Sequence, residues 1–301
     1  MKKKLNKRTV VIVISALVLI AVCGILAGER ISGLRAAKVQ SETKQLMELG
    51  KQSAAAAAAV LPSAEPRTEP AEPVPAEAES GEEEPITADE QGVENDFLPL
   101  LKENENLVGW LTAGDSIDFP VVQLDNAFYL NHNFFGEADN NGTPFLDEEN
   151  SLEPRDDVLM IHGHHMKSGA MFGRLKRYLD FDYLCENPIV TFRTVRDEED
   201  VYYTPIAAIN ISLNTKDKNY FSPRRFNFDS DEAFQAYLNE VTSRSAWRAK
   251  TDAVPGDDLL VLATCSYIYG YGRLLLVCRA LREGETPASV TALYTQQADL
   301  K

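Results

Sequence analysis

Leu259-Leu260-Val261-Leu262-Ala263-Thr264-Cys265-Ser266-Tyr267, followed by the turn Gly270-Tyr271-Gly272 and then Arg273, is the stretch on which the reading of this chain depends. An apolar, β-prone run ends at a thiol, and a glycine-flanked turn leads into a second β-prone run that begins with a guanidinium. Two neighbouring antiparallel strands joined there would return Arg273 to the side of Cys265, at one end of a hairpin. A thiolate forms near neutral pH only beside a positive group or a base, and an oxyanion developing on a carbonyl needs a donor. Singly, each signal is weak, because a strand cysteine is more often core and an arginine at a strand start can simply cap a surface.

Outward from that hairpin, short apolar runs recur at 118–123, 143–146, 158–161, 189–192 and 201–211, separated by clusters of Gly, Asn, Asp and Pro. With 259–263 and 273–281 they predict a mainly β fold, closed or nearly closed into a barrel. Two helical insertions are expected, at 171–178 and 231–243. In the second, Phe234, Tyr237, Leu238 and Val241 recur on one face at helical spacing, the pattern of a core-facing helix rather than a cofactor box.

Three histidines sit together in Ile161-His162-Gly163-His164-His165-Met166, directly after an apolar run. A strand end suits a catalytic base, since the sheet fixes the backbone while the side chain reaches substrate. The same cluster could hold zinc, but no Asp, Glu or Cys accompanies it at a recognised ligand spacing, so no metal and no cofactor is expected.

The chain's start has a different character. Thr9 to Gly28 carries no charge, which is about the 20 residues a helix needs to cross a bilayer, and Lys2, Lys3, Lys4, Lys7 and Arg8 precede it. That asymmetry predicts a single-pass anchor with a cytoplasmic N-terminus and everything after Glu29 outside. A cleaved signal peptide is the rival, with a shorter apolar region and a small-x-small cleavage site. The expected organisation is a basic tail at 1–8, an anchor at 9–28, a helical stalk at 29–61 and a disordered Pro/Glu/Ala-rich linker at 62–91. A catalytic domain at 92–285 and a tail at 286–301 complete it. The linker is expected to act as a flexible spacer that raises the effective concentration of enzyme and substrate on one membrane, or merely lifts the domain off the surface. A formal charge of -16, with Lys and Arg clustered only at the N-terminus, argues against nucleic acid as a partner. Of the four cysteines, Cys23 lies in the anchor, and Cys185 and Cys278 are read as structural. Three cysteines in the exported part leave one unpaired within the chain, a candidate nucleophile.

Taken together, Thr264-Cys265, Arg273, and an upstream Gly163-His164 followed by Met166 and Met171-Phe172 resemble the sortase transpeptidases. The resemblance covers essentially all of 95–285. Val108-Gly109-Trp110-Leu111, Phe119-Pro120-Val121-Val122-Gln123, Tyr129-Leu130 and Gly142 through Phe145-Leu146-Asp147 are similar to class B. The fold so implied is an eight-stranded β-barrel with an N-terminal helical region, here about 92–107, and a helix between late strands. Two departures stand out. His162 occupies a position where the class often has Tyr, so alignment on Gly163 and Met166 selects His164 over His165 as the catalytic imidazole. Ala263 stands where the class commonly has Ser.

The resemblance implies a cysteine transpeptidase with Cys265 as nucleophile, His164 as general acid and base, and Arg273 holding substrate and oxyanion. Thr264, Ala263 and Tyr267 would border the substrate. Its partners would be exported proteins bearing a C-terminal sorting motif such as Asn-Pro-x-Thr-x, and a peptidoglycan-precursor or pilin-lysine amine as acceptor. Two other classes stay open. Another exported cysteine enzyme, such as an L,D-transpeptidase or papain-like peptidase, would share the chemistry, although neither a Ser-His-Gly-Cys nor a Cys-Gly-Ser-Cys-Trp run is present. A noncatalytic surface-binding barrel on a stalk would need no Cys, His and Arg together.

Overall fold

Strand alternation decides how this chain is layered. In the computed structural model, which describes residues 7–60, 95–266 and 271–298, eight strands close into a barrel. They are β1 (Leu107–Ala113), β2 (Ile117–Val122), β3 (Phe145–Leu146), β4 (Val158–His162), β5 (Val190–Thr194), β6 (Tyr202–Ser212), β7 (Leu259–Ser266) and β8 (Gly272–Ala280). Around the barrel the order is β1-β2-β3-β4-β7-β8-β6-β5, with β4 and β7 parallel and β7 and β8 an antiparallel pair. β1 had been legible only as the start of the domain, because Gly109 weakens its strand propensity. There β5 passes so close, at Arg193 and Thr194, that a side chain would collide with its backbone.

Successive side chains point to opposite sides of a strand. Leu159, Ile161, Leu260, Leu262, Leu274 and Leu276 therefore fill the barrel interior with Phe119 and Phe192. Their neighbours Val158, Met160, Val261, Ala263, Leu275 and Val277 face outward. Such two-sided burial needs a cover, and α4 (Asp231–Ser243) supplies it. Ser230 caps its first turn by accepting from the Ala233 amide, and Phe234, Tyr237, Leu238 and Val241 seat on the outward residues. Each such side chain contributes about 1.5–3 kcal/mol by leaving water.

α1 (Lys7–Val60) is one continuous helix whose N-terminal part is long and apolar enough to cross a membrane. Its later part is packed on the barrel. Ser32 Oγ donates to Asn141 Oδ1 at 2.7 Å, Gln40 Nε2 donates to the Asp118 carbonyl at 3.0 Å, and Lys44 pairs with Asp118. Met47 is buried with Phe97 and Leu100, the latter on α2 (Leu98–Glu103), and Gly50 lies so close to the Asp96 backbone that a Cβ would overlap it. The sequence suggested a stalk separated from the barrel by a spacer. Helix and barrel instead touch directly, so the length of 61–94 does not set the distance between them; the disorder expected at 62–91 lies outside the described residues.

The segment expected to be a tail after 286 also differs. α5 (Pro287–Ala298) packs against α3 (Phe181–Glu186), and its Val290 and Tyr294 join the core. Tyr294 Oη lies 3.4 Å from the Pro205 carbonyl and 3.3 Å from Thr251 Oγ1. Two apolar side chains one helical turn apart are too weak a pattern to announce a docking helix from sequence.

Candidate active site

Cys265 and Arg273 are register partners across β7 and β8. Both have the outward parity of Ala263 and Leu275, but they lie beyond the reach of α4, where the outer face of the barrel opens into a groove of about 530 Å³. The turn from β4 brings His164 into the same groove. Residues 220–224 of the β6–β7 connection form its opposite wall.

Each histidine of the cluster has a separate partner, so they do not converge on one point. His164 Nε2 is 2.7 Å from the Leu130 carbonyl. A carbonyl only accepts, so Nε2 carries the hydrogen and Nδ1 is left as the nitrogen that can exchange a proton. His165 Nδ1 donates to the Cys265 carbonyl at 2.8 Å, from the far side of β7. His162 Nε2 donates to Asp147 Oδ2 at 2.8 Å. Among the described residues no group of three or more metal-ligating side chains forms.

Two glycines explain how the imidazole is held. Gly163 faces the Phe172 ring so closely that a Cβ would strike it, and the Phe172 amide donates to the His164 carbonyl at 3.0 Å. Gly142, at φ +64°, leaves room for the Tyr129 carbonyl, and a Cβ there would stand 3.2 Å from His164 Cδ2.

Ala263 borders the groove. Thr264 also borders it, but it pairs with Leu274 and takes the inward parity of Leu260 and Leu262. Its hydroxyl is buried without a hydrogen-bond partner. Tyr267 lies outside the described residues. Cys278 is fully buried in the interior, and burial pushes its thiol far up, which leaves it inert. Cys185 is half-buried and forms no disulfide with another described cysteine.

The sequence did not single out the ion network at the other end of the groove. The side chain of Asp147 is wholly buried and accepts from His162 and from Arg224 Nη2, each at 2.8 Å. Burial alone would raise its pKa, but the His162 and Arg224 hydrogen bonds outweigh that and hold the carboxyl far below the usual carboxylate range. Arg224 also reaches Glu149 at 3.0 Å, so it fastens the 220–224 wall to the turn that follows β3 and carries Asp147. Asp147 stood in the quoted Phe145-Leu146-Asp147 run. Arg224, in a long connection, gave no signal.

No family model matches the chain. Sortase B of Listeria monocytogenes is 32% identical over 188 residues, covering 61% of this chain and 73% of that protein. The structure of Bacillus anthracis sortase B in complex with AAEK1 superposes with a TM-score of 0.55 at 28% identity, over 64% of this chain and 86% of that one. A Staphylococcus aureus sortase B–substrate complex gives 0.56 at 25% identity, over 64% and 88%. A closed barrel of this order, with this groove and these relatives, defines a sortase, a cysteine transpeptidase. Within that class the chain belongs to the sortase B family.

Proposed function

We propose that this sortase cleaves a C-terminal sorting motif of the Asn-Pro-x-Thr-x type after Thr and transfers the new carboxyl to an amine. The observation that carries the residue assignment is the pairing of Cys265 with Arg273 in the groove that also holds His164. The Cys265 thiolate attacks the Thr carbonyl carbon, and the Arg273 guanidinium donates to the oxyanion. His164 Nδ1 gives a proton to the departing amine as the C–N bond breaks, leaving a thioacyl-enzyme. An incoming amine then attacks that carbonyl, His164 takes its proton, and Cys265 leaves as thiolate. Ala263 lies on the substrate-facing side of the groove, and Thr264 borders it through atoms other than its buried hydroxyl.

The apolar part of α1 supports a single-pass anchor in the cell membrane, N-terminus inside and barrel outside, as does the basic cluster ahead of it. Partners in this reading are exported proteins with sorting signals, and a peptidoglycan-precursor or pilin-lysine amine. The test uses the full chain in nanodiscs with quenched Asn-Pro-x-Thr-x and Leu-Pro-x-Thr-Gly peptides, followed by mass spectrometry. Cleavage after Thr with an adduct on Cys265 is expected. Cleavage that survives Cys265→Ala would overturn the assignment.

A further inference from the structure

His164 is held between two segments of chain, and both meet the same turn of α1. The first, 129–143, supplies the Leu130 carbonyl that accepts from Nε2 at 2.7 Å. Its end is tied back to its start, since the Thr143 amide donates to the Tyr129 carbonyl at 3.0 Å and the Asp139 amide to the Asn131 carbonyl at 2.9 Å. Gly142, near that end, is the residue whose Cβ would crowd the imidazole. The second segment, 163–172, carries His164 itself and is closed by the Phe172 amide on the His164 carbonyl.

α1 grips the first segment through Asn141, which is only 1% exposed. Asn141 Oδ1 accepts from Ser32 Oγ at 2.7 Å and its Nδ2 donates to the Ser32 carbonyl at 3.0 Å, so one helical residue takes both ends of the carboxamide. The same Nδ2 and the Asn141 backbone amide donate to Asp139 Oδ1 at 2.7 and 2.9 Å, which passes the grip along the segment. One residue further on, α1 meets the second segment: a Cβ on Gly33 would stand 3.7 Å from Ser168 Cβ. Ala36 is buried in the cluster that contains Met171 and Phe172. Removing the Ser32 hydroxyl takes the donor from a buried carboxamide oxygen and so disfavours the conformation in which Asn141 is buried. Later contacts of α1 are of another kind, because Gln40 and Lys44 bond to Asp118 of β2 and to neither segment. The gripping turn follows closely on the uncharged run that ends at Gly28.

We propose that the turn of α1 at 32–36 is a positioning element for the general acid. Ser32, acting through Asn141, holds the segment whose Leu130 carbonyl fixes the His164 ring, while Gly33 and Ala36 back the segment that carries the ring. This deepens the transpeptidase reading above, on which it rests, by making the anchoring helix a part of the support for proton transfer. Ser32 touches neither substrate nor the reacting atoms, and its effect is on where the imidazole stands. A shift of the ring by a fraction of its hydrogen-bond length is enough to slow proton transfer to the departing amine. A barrel separated from α1 keeps Cys265, His164 and Arg273 but loses this support, which confines full activity to the anchored enzyme.

The experiment follows single-turnover acylation of Cys265 by mass spectrometry, on the full-length chain in nanodiscs, with two sorting peptides that differ only at the scissile bond. One has the natural amide, whose leaving amine needs the proton from His164. The other is a thiophenyl ester, whose thiolate leaves without one. Ser32→Ala should slow acylation by the amide roughly tenfold, within the range of an acid–base group, and acylation by the ester less than about twofold. Ser32→Thr keeps the hydroxyl and should restore the amide rate. In an Asn141→Ala background Ser32→Ala should have no further effect, because the two act as one unit. Gln40→Ala loosens α1 where it meets β2 instead and should leave both rates at the parent level. An unchanged amide rate in Ser32→Ala, equal slowing of amide and ester, or a matching loss in Gln40→Ala would overturn the inference. If the parent chain forms no thioacyl from either peptide, the failure is that of the transpeptidase reading. The 13C-histidine spectrum of the same chain then decides the positioning alone. Ser32→Ala should move the His164 ring signal, assigned with His164→Gln, and Gln40→Ala should not; a His164 signal that stays in place in Ser32→Ala overturns it.

Discussion

Cys265 and Arg273 face each other as register partners at the turn end of the β7–β8 hairpin, on the outward side of the barrel. Backbone hydrogen bonding fixes their register, so both side chains leave the same face of the sheet, and Arg273 Nη1 is held by donating to the Gly272 carbonyl at 3.0 Å. The first prediction follows from that preorganisation. Arg273→Lys keeps the charge but loses the planar fork, and it should lower kcat by roughly 10²–10³, the scale of a lost oxyanion donor. The melting temperature should stay near that of the parent. Steady-state cleavage of a quenched sorting peptide measures the first quantity and calorimetry the second.

The histidines separate by partner. His164→Ala should cost about 10²–10⁴ in kcat/KM, the usual range for a general acid–base group. His165→Ala removes a hydrogen bond to the Cys265 carbonyl and should retain activity within about tenfold, an effect of ~1.4 kcal/mol or less. Equal losses in the two variants would reverse the assignment of the catalytic imidazole.

Gly142→Ala tests how His164 is held. The residue has φ +64°, and a Cβ would crowd both the Tyr129 carbonyl and the imidazole. A destabilisation of at least about 1 kcal/mol is expected from the backbone alone. A loss of kcat larger than in an equally destabilised core variant is the mark of a displaced imidazole. Urea unfolding and peptide cleavage on the same preparations check both parts.

Asp147 predicts a pH dependence. Its folded pKa is depressed below the unfolded Asp value of about 3.9. The stability it contributes is therefore present above that pH and is lost as pH falls through the folded value. Asp147→Asn should destabilise the protein at pH 7 by about 1–3 kcal/mol, leaving His162 and Arg224 without their carboxylate, and the variant should lose less on acidification below about pH 4. Denaturant titrations at several pH values would show it. A parallel shift at every pH would remove Asp147 as the source.

Gly50→Val tests the docking of α1. The added side chain would drive into the Asp96 backbone and separate the helix from the segment carrying Phe97 and Leu100. Thermal stability should fall, and a fragment beginning after α1 should be less stable than the full chain. An unchanged melting temperature in both would mean that the helix contributes nothing to the fold.

Much of this was legible in the residues. The hairpin carrying Cys265 and Arg273 is local, so an apolar run, a glycine turn and a second run were enough to pair them. The face of α4 was readable because four large side chains repeat at helical spacing. The choice of His164 came from Gly163 and Met166, and the contact of Gly163 with Phe172 gives that spacing its physical cause. The short strand β3 and the Arg224 clasp were harder, since two residues of strand and one arginine in a long connection have no period to detect.

By itself, then, the sequence determined the mainly β barrel, the long apolar helix and the kinds of residue at the groove, because each depends on composition or on neighbours close along the chain. Tertiary structure alone decided that α1 lies on the barrel instead of standing away from it, and that Thr264 turns its hydroxyl inward. It alone decided that residues after 286 fold back as α5 and that Cys265 takes the outward face of the barrel beyond α4. These outcomes depend on which distant surfaces meet and on the parity each strand takes in the closed sheet. No local pattern of hydrophobicity carries that information.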